Sequence, residues 1–151
     1  MLVRAHLETK SREVITASPS TPVDDAMELL IENKIGCLPV IDENRLIGII
    51  SDKDIFHKIF EKKTDYASLH VKDMMTTELI VGVPDDELSY IAGVMDRNWI
   101  RHVPIVDGEK LVGLISLGDI IKAQTEHAKI ENRYLKLYTD GLGLRDKSSD
   151  D

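Results

Sequence analysis

The stretch Leu46–Ile55, LIGIISDKDI, decides the fold because it occurs again as Leu111–Ile120, LVGLISLGDI, 65 positions later. The tetrapeptides before these stretches, Pro39–Asp42 and Pro104–Asp107, keep the same spacing. One supersecondary unit is therefore used twice. A unit this short cannot bury its apolar face alone, so we expect the two copies to pack on each other and to form a cleft along a pseudo-two-fold axis.

Each copy is predicted to run strand, helix, strand, turn, strand, helix, which is an α/β (α+β) pattern. The β-prone runs Val14–Thr16 and Leu79–Val81 predict the first strands. Apolar residues at i, i+3, i+4 and i+7 predict amphipathic helices that start near Val23 and Leu88. The remaining predicted strands are Cys37–Ile41 with Leu46–Ile50 and His102–Val106 with Leu111–Ile115, each pair joined by a polar turn.

These elements predict three segments: a first repeat at 1–64, a second at 65–125, and a C-terminal helix with a disordered tail at 126–151. The helix is predicted from the apolar stripe of Ile130, Tyr134, Leu137 and Tyr138, which either packs on its own domain or supports a dimer. Trp99 takes the position of Lys34 in the first copy, so we expect it to be exposed and to lie in an interface.

Composition restricts the classes of partner. The net charge of −8 disfavours non-specific binding to nucleic acid or to an anionic membrane, because both depend on clustered Lys and Arg. No apolar run reaches the roughly 20 residues that a membrane helix needs. The single cysteine, Cys37, excludes an intrachain disulfide, so we expect a reducing, cytoplasmic location.

The tandem motif resembles the cystathionine β-synthase (CBS) domain. The resemblance rests on Pro-Val-Ile-Asp, which is Pro-Ile-Val-Asp in the second copy, then a hydrophobic strand and Gly-hydrophobic-x-Ser-x-x-Asp in both copies, and it covers roughly residues 6–125. It implies two β-α-β-β-α units related by pseudo-two-fold symmetry, called a Bateman module. Such modules commonly bind adenosine-containing ligands in the cleft, regulate other proteins and often pair into flat discs.

The resemblance also implies a ligand site. The motif's Asp accepts hydrogen bonds from ribose hydroxyls, with the Ser beside the sugar or phosphate, which gives Asp54 with Ser51 and Asp119 with Ser116. A basic residue before the strand proline meets phosphate, which selects Arg101 and makes the second half-site the better phosphate site. The full set implied is Thr16, Gly36, Cys37, Leu38, Pro39, Ser51, Asp54, Val81, Arg101, His102, Val103, Pro104, Ser116 and Asp119.

Each of these assignments has a structural alternative. Ser-x-x-Asp at a helix start is also a capping box, in which the Ser caps the helix and the Asp reaches back to the cap's amide. Arg101 reads equally as a solvated surface charge, and His102 as a half-buried histidine or a wall of the pocket. Cys37 is more often a small buried residue than a nucleophile.

No catalytic or metal constellation is found in the sequence, so we expect no enzyme activity and no required cofactor. The histidines lack the short spacing of metal-ligand pairs. We expect a homodimeric sensor that binds AMP, ADP, ATP or another adenosyl compound and signals to an effector protein. The alternative is a purely structural dimerisation module that binds no ligand.

Overall fold

The computed structural model describes residues 1–10, 12–62 and 66–126, so the predicted C-terminal stripe and tail lie outside the described residues. The chain divides into two compact units, Met1–Ile115 and Ser116–Asp151. Of the second unit the structure describes residues 116–126, in which 117–126 are helical and are called α6.

Most of the helices and strands among the described residues lie in the first unit. Its helices are α1 (Val3–Thr9), α2 (Val23–Asn33), α3 (Asp52–Lys62), α4 (Val71–Met74) and α5 (Leu88–Asn98), with a 3₁₀ turn at Tyr66–Ser68. Its strands are β1 (Cys37–Asp42), β2 (Arg45–Ser51), β3 (His102–Asp107) and β4 (Lys110–Ser116), and β4 ends at the first residue of the second unit.

The strands form two separate two-stranded sheets, β1 with β2 and β3 with β4. In the first sheet β1 and β2 run antiparallel, and the register shifts between Val40 and Ile41. The two hairpins touch near their turns, where the Leu46 amide donates to the Glu109 carbonyl at 3.0 Å. The predicted class of mixed helix and strand, with two repeats, is confirmed.

The predicted first strands are wrong as regular strands. In each copy only one residue pairs with the sheet, through the parallel bridges Ala17↔Val40 and Gly82↔Ile105. Ala17 accepts from the Ile41 amide and donates to the Pro39 carbonyl, both at 2.9 Å. The β-prone runs end just before these bridging residues, and a turn begins two residues after each of them, so the pairing is confined to a single bridge.

The segment that precedes each copy in sequence packs against the other copy. In α1 the Val3 and Arg4 amides donate to the carbonyls of Asp86 and Pro84, at the entrance to α5. In α4 the Val71 and Lys72 amides make the equivalent bonds to Thr21 and Pro19, at the entrance to α2. Val3 and Val71 are both fully buried. The repeats are therefore interlocked by exchanged leading segments.

The amphipathic helices bury the faces that their periodicity predicts. In α2 the buried residues are Val23, Ala26 and Leu30, and in α5 they are Leu88, Ile91, Val94 and Met95. The core of the first repeat joins this face to the sheet and to α4, and its members include Leu38, Ile50 and Met74.

Candidate functional site

The Ser-x-x-Asp motifs both form capping boxes. Ser51 Oγ accepts from the Asp54 amide at 3.0 Å, while Asp54 Oδ2 accepts from the Ser51 amide at 3.0 Å. In the second copy the same two bonds, between Ser116 and Asp119, measure 3.1 and 2.8 Å. The capping interpretation is confirmed for both motifs, and each box satisfies amides that a helix start leaves without intrahelical partners.

Capping leaves the Asp54 carboxylate able to accept further bonds. The box uses Oδ2, and no partner for Oδ1 is seen among the described residues. The side chain is half-buried at the first turn of α3, where the helix dipole favours a negative charge. A carboxylate fixed in this way can accept from a vicinal diol through its remaining lone pairs.

Arg101 lies against the first repeat. Its Nη2 is 3.2 Å from Oδ1 of Asp52, the first residue of α3, and both side chains are 55% exposed. The Asp52 amide donates to the Gly36 carbonyl at 2.9 Å, which ties the start of α3 to the start of β1. The expected contact of Arg101 with phosphate stays a prediction.

Asp52 is a site residue that the sequence reasoning missed. The Ser-x-x-Asp pattern directs attention to its two ends and passes over the intervening positions. A signal was present, because Asp52 is matched by the apolar Leu117 in the second copy, and a charge kept in only one of two repeats indicates a local partner.

Equivalent positions of the two copies meet beside this ion pair. Gly36 has the register of Arg101, and Cys37 has the register of His102. A Cβ added to Gly36 would lie 3.1 Å from Cε1 of His102 and 3.7 Å from Oδ2 of Asp52. Any larger residue at position 36 would press on the imidazole, so the small residue allows the copies to approach here.

Cys37 is shielded from chemistry. It is 2% exposed, and burial, followed by the charge of Asp52, raises its pKa to about 12. The thiol is therefore protonated at neutral pH and is a poor nucleophile, because the thiolate is the reactive form. The interpretation of Cys37 as a small buried residue agrees with this environment.

Five residues of the implied ligand set are closed off from solvent. These are Cys37, Leu38, Pro39, Val103 and Pro104, each no more than 2% exposed. They lie at the starts of β1 and β3, where the strands are buried. We expect them to shape the site from beneath.

Thr16 lines a cleft of about 430 Å³ in the first unit, and neither Ser51 nor Asp54 is part of its lining. Its walls include Leu114 and the cations Lys10, Arg12 and Lys110. The Lys10 ammonium donates to the Leu114 carbonyl at 2.7 Å. Lys10 and Arg12 were missed by the sequence reasoning because neither has a basic counterpart at the equivalent position, Met75 and Thr77, of the second repeat. Val81, the counterpart of Thr16, is 42% exposed and does not line this cleft.

Metal and membrane sites find no support in the part of the chain that is described. No group of His, Cys, Asp and Glu side chains at 1–10, 12–62 or 66–126 could hold a metal ion. Within the same ranges, no helix has the length and apolar character required to cross a bilayer.

Comparison with known proteins decides the family. The CBS domain model matches residues 7–61 and 71–126. The chain belongs to the CBS domain family. It is 33% identical over 113 residues to the CBS domain-containing protein YhcV of Bacillus subtilis (strain 168), a match that covers 75% of this chain and 80% of that protein. The resemblance inferred from sequence, to a tandem CBS pair, is confirmed.

Solved CBS structures match the fold. The structure of CBSX2 in complex with AMP has a TM-score of 0.70 and 30% identity, and the match covers 83% of this chain and 97% of that one. The CBS domain pair of protein MJ0100, in complex with 5′-methylthioadenosine and S-adenosyl-L-methionine, has a TM-score of 0.74 and 29% identity, with coverages of 84% and 98%.

Some relatives are much longer than the matched region. The match covers 41% of the uncharacterized protein MJ1225 and 22% of the inosine-5′-monophosphate dehydrogenase of Methanocaldococcus jannaschii. The CBS pair is thus found both in short proteins and as one part of larger ones.

Proposed function

We propose that this CBS pair is a regulatory module that binds adenosyl ligands, with Asp54 in one half-site and Asp119 in the other as the acceptor for ribose hydroxyls. The observation that carries the proposal is the pair of capping boxes. Each fixes a half-buried carboxylate at the start of a helix, and at Asp54 only Oδ2 is used by the box. Capping and ligand binding are therefore compatible at the same side chain.

Support for the ligand class comes from the structural relatives, whose bound ligands are AMP in one case and 5′-methylthioadenosine and S-adenosyl-L-methionine in another. All three contain adenosine, and they differ in what the 5′ carbon carries.

Regulation follows if the ligand binds two arrangements of the repeats with different affinity, because a ligand shifts an equilibrium only by its differential affinity. The interlocked leading segments give a route for such a change. The helix α1 precedes the first repeat in sequence but packs on the second repeat, and α4 precedes the second repeat but packs on the first. A movement of either repeat would therefore pull on the chain of the other. The protein that responds to this change would be an effector protein. We place the module in the cytoplasm, where the single cysteine would stay reduced.

Calorimetry tests the ribose contact. AMP and 2′-deoxy-AMP are titrated into the protein, with the Asp54→Asn variant alongside. We expect 2′-deoxy-AMP to bind about 10- to 100-fold more weakly, because a charged acceptor loses a good hydrogen-bond donor. Equal affinity for the two nucleotides would sink the assigned role of the Asp side chains.

A second candidate function is structural dimerisation without a ligand. Trp99, which is 91% exposed, and the exposed Phe56 and Phe60 of α3 favour it, because large apolar surface of this kind is typical of interfaces. A thermal-shift screen separates the candidates: no stabilisation by AMP, ATP, S-adenosylmethionine or methylthioadenosine supports the structural function alone.

A further inference from the structure

One ion pair joins the two repeats at the candidate site. Arg101, just before β3, places Nη2 3.2 Å from Oδ1 of Asp52, the first residue of α3. The repeat register makes Gly36 the counterpart of Arg101 and Leu117 the counterpart of Asp52. Neither counterpart carries a charge, so the sequence provides this pair on one side of the pseudo-symmetric module only.

Asp52 competes with any anion that approaches Arg101. Its carboxylate already accepts a hydrogen bond from the Arg101 guanidinium. A phosphate group would be attracted by Arg101, but it would have to share the guanidinium with Asp52 and would lie close to a negative charge.

We propose that Asp52 is a specificity-determining residue that holds the Arg101 guanidinium and so favours adenosyl ligands without phosphate over phosphorylated ones. The proposal rests on the proposed adenosyl-binding function and adds the identity of the preferred 5′ group. A thioether or a sulfonium at the 5′ carbon leaves the ion pair intact. A phosphate or a longer polyphosphate competes with Asp52 for the guanidinium and is repelled by the Asp52 carboxylate.

The test compares two ligands that differ in the 5′ group. Dissociation constants of AMP and of 5′-methylthioadenosine are measured for the wild type and for Asp52→Asn. Asparagine keeps the Oδ1 atom that accepts from the Lys53 amide, and the backbone bond from Asp52 to the Gly36 carbonyl is unaffected. We expect AMP to bind about two- to fivefold more tightly to the variant, the range that exposed ion pairs span, and methylthioadenosine to bind as before.

Asp85→Asn is the matched control. Asp85 forms an exposed ion pair with Arg4 at 2.6 Å, so the variant removes the same charge and a comparable pair. Neither residue is part of the candidate site. The control should leave both dissociation constants unchanged. An equal gain in AMP affinity from Asp85→Asn would mean that net charge is responsible, and the proposal would be wrong.

Other outcomes are equally decisive. If Asp52→Asn weakens AMP binding, or changes both ligands alike, Asp52 does not act on the phosphate and the proposal fails while adenosyl binding stands. If no adenosyl ligand binds, the proposed function fails. The role of Asp52 is then tested by titrating pyrophosphate and monitoring the Arg101 Nε–Hε signal by NMR. A response at lower pyrophosphate concentration in Asp52→Asn than in the wild type supports the inference; identical responses, or none, overturn it.

Discussion

The two repeats differ in what packs against the equivalent glycine of their second strand. Gly48 in β2 and Gly113 in β4 occupy equivalent positions of the two repeats. Gly48 faces the residues that follow α4, and Gly113 faces Leu7 of α1. A Cβ on Gly48 would lie 2.8 Å from Met75 Sδ and 3.1 Å from the backbone oxygen of Thr76. On Gly113 the three nearest atoms would all belong to Leu7, with both methyl carbons at 2.6 Å and Cγ at 3.2 Å. The nearest atoms therefore include backbone at Gly48 and are all side-chain atoms at Gly113.

Replacing these glycines by alanine should give the largest difference in stability between the two repeats. Thr76 cannot retreat easily, because its amide and carbonyl both bond to Ile49, at 2.8 and 3.0 Å. We expect Gly48→Ala to lower the free energy of unfolding by about 3 kcal/mol, the upper part of the range for overpacking. Gly113→Ala should cost about 1 kcal/mol, because the Leu7 side chain can rotate. Urea denaturation of both variants measures the difference, and equal costs would show that the Thr76 bonds do not restrain the backbone.

The sequence predicted the parts of the fold that repeat and missed the parts that depend on exchange. The 65-residue register located β1 to β4 and the helices after them because the motif carries its own hydrophobic pattern and caps. The packing of α1 on the second copy and α4 on the first was not predictable in this way. These segments are offset by 68 positions in sequence, Val3 against Val71, so the register that aligns the motifs does not align them.

The candidate site shows the same limit. Ser51, Asp54 and their counterparts were found because both copies contain them, and their capping geometry followed from the spacing. Asp52 and Lys10 were missed because each matters through a contact with the other copy, at Arg101 and Leu114. Contacts between residues so far apart in sequence leave no motif, and for Asp52 the only sequence signal was the lack of a charged counterpart in the second copy.

The carboxylate variants sharpen the comparison at the ligand. Asp54→Asn and Asp119→Asn should each weaken AMP binding by about 10- to 100-fold, because a charged acceptor of the ribose is lost. Asn keeps an acceptor oxygen for the capping bond, so the free energy of unfolding should change by less than about 0.5 kcal/mol. Calorimetry and urea denaturation measure the two quantities on the same samples.

Deoxy-AMP is the control for this pair. A variant that has lost its ribose contact should no longer distinguish AMP from 2′-deoxy-AMP. A loss of stability near 1 kcal/mol with unchanged binding would assign the carboxylates to capping alone. The sequence-based ranking of the half-sites, with the second preferred for phosphate, stays a prediction, and it requires Asp119→Asn to lose more AMP affinity than Asp54→Asn.

The capping serines test whether the two helix starts are equal. Ser51→Ala and Ser116→Ala each remove an acceptor for the amide of the motif's Asp, with bond lengths of 3.0 and 3.1 Å. We expect each to destabilise the protein by about 1 kcal/mol and the two costs to agree. Thr at either position retains the hydroxyl and should restore most of the loss. Thermal and urea unfolding give the values, and a cost confined to one serine would show that the boxes are not equivalent.

The smallest effect concerns the ends of α2 and α5, where Lys34 and Trp99 both adopt left-handed backbone geometry, with φ of 53° and 55°. Glycine adopts this conformation without the steric cost that other residues bear, so Lys34→Gly and Trp99→Gly should each stabilise an isolated chain by about 0.5–1 kcal/mol. Trp99 is 91% exposed, so a single chain loses almost no burial when the indole is removed.

If the protein is a homodimer, the urea midpoints of the two glycine variants should depend differently on protein concentration. If Trp99 lies in the dimer interface, Trp99→Gly removes binding energy that the dimer adds to the stability of each chain. Urea denaturation at two protein concentrations, about a hundredfold apart, should then show a midpoint that rises for the wild type and for Lys34→Gly but not for Trp99→Gly. If light scattering gives the mass of one chain and all three midpoints are independent of concentration, Trp99 is a solvent-exposed helix end and the homodimer prediction is wrong.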